Sequence, residues 1–171
     1  MGSRGISVVA IALSAALSFP AGADVAGASP RGAPTYQPDG VIAGIGQDVY
    51  NTDSNVQMQN KYGLKPGSTF ISRVSLGNDG TSADSFSLTN AGGSQRPYTV
   101  SYWKGTKDIT KKVLAGTYVT ATVQPGAATL IRIRFDIAEN AKHNAGITTP
   151  LPINSVGDGT IDAVSVCLWT K

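Results

Sequence analysis

Side chains that commonly carry catalytic chemistry are scarce in this 171-residue chain. It contains one histidine, His143, one cysteine, Cys167, and one glutamate, Glu139. A serine nucleophile needs a base beside it, and only His143 could serve, yet no Gly-x-Ser-x-Gly turn presents a serine. One histidine and one cysteine also leave a zinc site short of ligands. The sequence therefore predicts that the protein is not an enzyme, and a small secreted hydrolase using His143 is the enzymatic alternative.

One short loop carries enough oxygen-bearing side chains to bind a calcium ion. Calcium prefers carboxylate and amide oxygens, and the candidates are Asp48, Asn51, Asp53 and Asn55. The loop lacks the acidic density and the terminal glutamate of an EF-hand. Asp and Asn in such loops commonly bond to the backbone amides of their own turn. We therefore expect no cofactor, with calcium as the open alternative.

Aromatic side chains offer a surface on which a sugar ring could stack, because sugars present apolar faces that aromatic rings cover. Tyr98 and Tyr102 share one face of a predicted strand, while Trp103 points the opposite way at a hairpin tip. Trp103 is therefore the best single candidate for an exposed contact. The candidate ligand contacts are Trp103, Tyr102 and Trp169, and the alternative is that these rings pack in the core or within the hairpin.

The elements that must position these side chains are β-strands. In residues 69–76, successive side chains point to opposite faces of a strand, and Phe70, Val74 and Leu76 share one face. Residues 131–137 show the same alternation of apolar and polar side chains. Pro-Gly pairs and the Asn-Asp-Gly segment at 78–80 supply turns between such runs. About eight or nine strands at a spacing of about ten residues predict an all-β fold, a two-sheet Ig-like β-sandwich.

The other runs receive shorter or less regular predictions. Residues 138–145 are predicted to be a loop with at most one helical turn. Pro150 and Pro152 place their segment at a sheet edge or outside the sheets. Further strands are expected over residues 56–62, 108–113, 118–123 and 161–169.

The N-terminal residues have the pattern of a secretory signal peptide. An apolar run over residues 6–19 follows Arg4 and precedes small residues, and it is shorter than the roughly 20 residues that a membrane-spanning helix needs. We expect cleavage after Ala23 or, alternatively, after Ala28. The predicted organisation is a signal peptide (1–23), a flexible leader (24–38) and one Ig-like domain (39–171). The protein is then secreted or extracellular, or periplasmic if the host has an outer membrane, with no membrane insertion after cleavage.

Charge and cysteine usage narrow the function further. The net charge is +3, and the basic residues are scattered along the chain, whereas nucleic-acid-binding proteins cluster them on one element. We therefore predict no nucleic-acid partner. Cys167 has no second cysteine to pair with, so no intramolecular disulfide forms. It is either a small buried side chain or one half of an intermolecular disulfide.

Several short motifs together resemble one family. They are Asp-Val-Tyr-Asn-Thr-Asp at 48–53, Pro-Gly-Ser-Thr-Phe at 66–70, Asn-Asp-Gly at 78–80, Tyr-Thr-Val-Ser-Tyr at 98–102 and Gln-Pro-Gly at 124–126. The pattern resembles a bacterial extracellular Ig-like β-sandwich domain of the adhesion or conserved-repeat type found in surface and secreted proteins. The resemblance covers residues 39–137 and implies a spacer, adhesin scaffold or accessory module without catalytic residues. Residues 138–171 depart from it, because the family pattern would end in a simple hairpin.

These observations lead to one functional prediction and its alternatives. We expect a non-enzymatic, secreted structural or adhesive module that acts through surface contacts. Its partners would be other extracellular proteins or cell-surface glycans. The first alternative is a carbohydrate-binding protein that uses exposed aromatic rings.

Overall fold

The computed structural model describes residues 33, 35–42, 57–89 and 91–171, and residues 33–171 belong to one compact unit. These residues form two sheets of five strands each, which confirms the predicted all-β, two-sheet sandwich. The ten strands exceed the eight or nine that we expected. The elements are β1 (Pro38–Ile42), β2 (Gln57–Leu64), β3 (Thr69–Asn78), β4 (Phe86–Leu88), β5 (Tyr98–Lys104), β6 (Lys107–Asp108), α1 (Thr110–Leu114), β7 (Tyr118–Val119), β8 (Ala128–Ile137), β9 (Gly146–Ser155) and β10 (Ile161–Thr170).

The first sheet has the order β1-β3-β8-β5-β6 and is antiparallel throughout. Its centre is the pair β3 and β8, in which Phe70 lies opposite Phe135 and Val74 lies opposite Ile131. The faces predicted from the alternation are confirmed, since Val74 and Ile131 are fully buried while Ile71 stays exposed. Burial of one face of each strand is the main stabilising contribution of this sheet.

The second sheet has the order β2-β10-β9-β4-β7. Strand β2 pairs in parallel with β10, and β10 pairs antiparallel with β9 along nearly its whole length. The two strands of the C-terminal part therefore lie inside the second sheet. They extend the domain well beyond Ile137, where the resemblance ends.

Two prolines lie inside β9 and keep its ladder intact. The carbonyl of Pro150 accepts a hydrogen bond from the Gly92 amide at 2.8 Å, on the side away from β10. In an antiparallel ladder the nitrogen of a residue points to the same side as its carbonyl, so the ring nitrogens of Pro150 and Pro152 face away from β10. Strand β4 pairs with this side of β9 only from Ile153 onward, so the proline nitrogens need no ladder partner there. Because β9 is nevertheless the middle strand of its sheet, the prediction that this segment lies at an edge or outside the sheets was wrong.

Strand β1 belongs to the first sheet but packs closely on the second. The Gly40 amide donates to the Asp162 carboxylate of β10 at 2.5 Å. A methyl group on Gly40 would lie 2.3 Å from Cδ1 of Ile153 and 3.0 Å from Cγ1 of Val164. A side chain at this crossing would therefore require Ile153 to shift.

The folded part begins earlier than the predicted boundary at Asp39. Pro38 and Asp39 are both buried at the start of β1. Ahead of them, Thr35 exchanges hydrogen bonds with Thr81, and the Gln37 carbonyl accepts from the Asp79 amide at 2.9 Å. Residues 35–38 are therefore bonded to the domain, which corrects the leader prediction for them. The signal peptide and the rest of the leader lie outside the described residues.

Two predicted strands are shorter than expected. The Asp108 carboxylate accepts from the Thr110 amide at 2.8 Å and turns the chain into the helix α1, so the prediction of a strand over 108–113 was wrong after residue 108. Of the strand predicted over residues 118–123, only Tyr118 and Val119 form β7. Beyond them the Thr120 amide still donates to the Phe86 carbonyl at 3.0 Å, but the Phe86 amide donates to the Thr120 hydroxyl at 2.9 Å, so a side chain supplies one half of this pair.

The core fills the space between the two sheets, and Cys167 lies outside it on the other side of β10. Cys167 is nonetheless buried, at 3% exposure, with its sulfur 3.4 Å from Oγ1 of Thr148.

In the described part of the chain no helix is long and apolar enough to cross a membrane.

Candidate functional site

The structure separates the three aromatic residues that the sequence proposed as ligand contacts. Trp103 lies on the outer face of the first sheet, and Trp169 lies on the outer face of the second. Tyr102 is fully buried, and its hydroxyl donates to the Gly92 carbonyl at 2.6 Å. Burial raises the pKa of Tyr102, which stays a neutral phenol. Tyr102 is therefore a core residue and not a ligand contact, as its place on the inward face of β5 requires.

The remaining candidates from the sequence are the calcium ligands and His143. The proposed calcium ligands Asp48, Asn51, Asp53 and Asn55 lie outside the described residues. His143 is exposed in the loop before β9. Among the residues that the structure describes, no three His, Cys, Asp or Glu side chains come together as a metal site.

The register of the first sheet brings cationic and apolar side chains together on its outer face. Arg132 of β8 lies between Arg73 of β3 and Trp103 of β5. In the next row, Arg134 lies opposite Ile71. We call these five residues (Ile71, Arg73, Trp103, Arg132 and Arg134) the arginine face. Four of them, all except Arg73, line a shallow cavity of about 140 Å³.

A hydrogen bond along β5 fixes the indole of Trp103. Its Nε1 donates to Oγ of Ser101 at 3.0 Å, and Ser101 lies opposite Arg134. The ring therefore extends back along the strand toward Arg134 and forms part of the cavity wall. The indole N–H group already has a hydrogen-bond acceptor, so Trp103 would contact a partner through the apolar faces of its ring.

The three arginines differ in their partners. Arg134 donates from Nε and Nη2 to the Asp136 carboxylate at 3.0 and 2.9 Å. This hydrogen bonding is the main reason that the pKa of Asp136 is lowered, and the Thr69 hydroxyl adds to it with a bond of 2.6 Å. Arg132 donates to the Gly105 carbonyl. The side chain of Arg73 makes no hydrogen bond or ion pair with any other residue within the described ranges.

Two other carboxylates with lowered pKa values have structural roles. Hydrogen bonds from Thr110 lower the pKa of Asp108, and hydrogen bonds from Thr160 lower the pKa of Asp158. Each carboxylate accepts from a backbone amide two residues later, at 2.8 and 2.9 Å. Such Asx turns stabilise the local backbone, and neither group has the raised pKa of a general acid.

A second aromatic site occupies the outer edge of the second sheet. Tyr62 of β2 stacks on Trp169 of β10, with ring centroids 4.4 Å apart and an interplanar angle of 11°. Gly146 lies opposite Trp169 and leaves room for the indole, because a methyl group there would be 2.9 Å from Nε1. Tyr62 is 66% exposed. Tyr62 is not recognisable as a site residue from the sequence, because the parallel pairing of β2 with β10 has no local sequence signal.

No protein-family model matches the chain, and no curated protein sequence matches it significantly. Solved structures give weak similarities of fold. A family 123 glycoside hydrolase from Clostridium perfringens aligns at 8% identity and a TM-score of 0.47, over 78% of this chain and 27% of the hydrolase. The major pilin subunit of Bacillus cereus aligns at 10% identity and a TM-score of 0.41, over 80% of this chain and 41% of the pilin.

A PapD-like domain of human CEP192 aligns at 12% identity and a TM-score of 0.40, over 67% of this chain and 81% of that domain. Similarities at this level carry no conclusion about function. The family resemblance drawn from the sequence is confirmed as far as the β-sandwich, which rests on the two sheets described above. Its extracellular and adhesive parts stay predictions.

Proposed function

We propose that this protein is a non-enzymatic extracellular module, structural or adhesive, that acts through surface contacts and uses the arginine face. The observation that supports this most directly is the placing of Ile71, 42% exposed, and the partly exposed Trp103 beside three arginines on one sheet surface. Trp and Arg are the residue types that dominate binding energy at interfaces.

The position of the face within the sheet suits binding. Its side chains come from β3, β8 and β5, which are adjacent strands at the middle of the first sheet. The Trp103 to Ser101 and Arg134 to Asp136 hydrogen bonds hold two of its side chains before any partner arrives. A preorganised surface loses less conformational entropy on binding than a loop does.

The test is a binding panel of immobilised polysaccharides and extracellular matrix proteins, probed with the full chain. The double variant Ile71→Ser, Trp103→Ala should lose at least tenfold in affinity for whichever surface binds the unchanged protein. Tyr62→Ala, a matched loss of an exposed ring on the other sheet, should leave that affinity unaltered. Equal affinity of the double variant and the unchanged protein, or no binding to any member of the panel, would contradict the proposal.

A second candidate function is carbohydrate binding at the Tyr62 and Trp169 stack. The parallel rings with one widely exposed member favour it, because such a platform suits the apolar face of a sugar. It predicts the opposite result in the same panel. Tyr62→Ala would then abolish glycan binding and the change in tryptophan fluorescence, while the Ile71→Ser, Trp103→Ala double variant would keep the affinity.

A further inference from the structure

We propose that the partner of the arginine face is an acidic polysaccharide, with a uronate carboxylate bound between Arg73 and Arg132 and a sugar ring against Trp103. The inference rests on the proposed function, because it names the partner class of that same surface.

Two like charges face each other across β3 and β8. Arg73 and Arg132 lie directly opposite each other, and like charges in this position repel. Arg132 has one bond, to the Gly105 carbonyl, and Arg73 has none to a described residue, so both guanidinium groups retain unused donors. A carboxylate between them would cancel the repulsion and accept charge-assisted hydrogen bonds from both.

The carboxylates of the protein on this face are already engaged. Asp136 accepts from Arg134 and Thr69, and it lies opposite Thr69, two rows away from the Arg73 and Arg132 pair. Asp108 lies opposite Trp103 on β6, where it accepts from the Thr110 amide. The described chain therefore supplies no carboxylate to the Arg73 and Arg132 pair, and an anion from a partner fits there.

The adjoining cavity is small and has both apolar and cationic walls. It holds about 140 Å³, it is walled by Trp103 and Ile71 as well as by arginines, and it is open to solvent. This space suits one ring with an apolar face better than a folded protein surface. A sugar that carries a carboxylate combines the two features that this site would recognise.

The same features disfavour a nucleic acid. Single-stranded nucleic acids are held by a basic groove that follows many phosphates, with several aromatic rings for successive bases. This face has one aromatic ring, and one of its three arginines is committed to Asp136. The guanidinium groups of Arg73 and Arg132 remain, and they are enough to bind one or two carboxylates.

The experiment is calorimetric titration of the full chain with an oligogalacturonate, at low and at physiological salt. The matched probe is the same oligosaccharide with its carboxylates methyl-esterified. We expect Arg73→Gln to weaken binding at least tenfold and Trp103→Ala to do the same. Arg96→Gln, which removes an exposed charge of the same kind away from the arginine face, should change affinity less than twofold. The esterified probe should not bind.

A stability measurement separates loss of binding from loss of folding. Because Arg73 has no partner in the described chain and faces Arg132, Arg73→Gln should melt at the same temperature as the unchanged protein or higher. At one concentration, the oligogalacturonate should raise the melting temperature of the unchanged protein by more than that of Arg73→Gln.

Three results would overturn the inference. They are equal weakening by Arg73→Gln and Arg96→Gln, equal binding of the esterified probe, and tighter binding of a single-stranded DNA than of the oligogalacturonate. If the acidic sugar fails to bind but the Ile71→Ser, Trp103→Ala double variant still loses another member of the panel, the partner class is wrong and the proposed function stands. If neither set of variants alters any binding, both are wrong.

Discussion

Replacing Asn78 by alanine would remove three hydrogen bonds from one buried turn. Asn78 is fully buried at the end of β3, and its Nδ2 donates to the carbonyls of Ser82 and Val123, each at 2.9 Å. Its Oδ1 accepts from the Gly80 amide at 3.0 Å. The side chain thus closes the turn after β3 and ties it to the segment that precedes β8.

The expected loss follows from what alanine would leave behind. The Gly80 amide belongs to a buried residue and would be left without a partner, at about 1–3 kcal/mol, whereas the Val123 carbonyl would keep the hydrogen bond that it accepts from the Asp84 amide at 3.0 Å. With the two hydrogen bonds from Nδ2 included at about 1 kcal/mol each, the loss in the free energy of unfolding should be about 3–4 kcal/mol. At an ordinary urea dependence this lowers the unfolding midpoint by about 2 M.

The assay is urea unfolding followed by tryptophan fluorescence, with Asn154→Ala as the matched control. Asn154 also donates two side-chain hydrogen bonds, to Ser87 and Thr89, but it is only half-buried, so water can replace them. Its loss should stay below about 1 kcal/mol. If Asn78→Ala costs no more than Asn154→Ala, burial is not what gives the Asn78 bonds their value, and the reasoning fails.

Three further predictions concern other parts of the fold. Gly40→Ala should destabilise the protein by about 1–3 kcal/mol in thermal unfolding, because its methyl group overlaps Ile153, while Gly93→Ala should be nearly neutral, since the nearest atom there is 3.5 Å away. The lowered pKa of Asp136 means that its ionised form stabilises the fold above the ordinary carboxyl pKa of about 4 and that this contribution disappears as pH falls through the lowered value. When the pH is lowered from 5 to 2, the melting temperature of Asp136→Asn should therefore fall by less than that of the unchanged protein. A larger fall would contradict this. Cys167 should react with a thiol reagent roughly a hundredfold more slowly in the native protein than in urea, and equal rates would show that its burial is wrong.

Local alternation was enough to predict which faces of the long strands of the first sheet are buried. The inward faces of β3 and β8 follow from every second residue being apolar, and the structure buries Val74, Leu76 and Ile131 as expected. The position of Trp103 on the outer side of β5 follows from the same rule. Its choice as the best exposed contact stays a prediction.

Pairing between distant strands was not predictable. The arginine face exists because β3 and β8 pair with Arg73 opposite Arg132, and register is set by long-range packing that one sequence does not display. The Tyr62 and Trp169 stack likewise depends on the parallel pairing of β2 with β10. The helix α1 was missed because an aspartate turn at residue 108 outweighs a weak strand pattern.

The placing of β10 between β2 and β9 also sets the order in which the domain can form. The first sheet has all its strands once Ile137 has been synthesised, whereas β2 pairs with a strand that ends at Thr170. Such sequence-distant pairing makes folding slow, because a long loop must close before the pairing is gained. The emerging chain therefore stays incompletely folded until residues 161–170 are available to pair with β2.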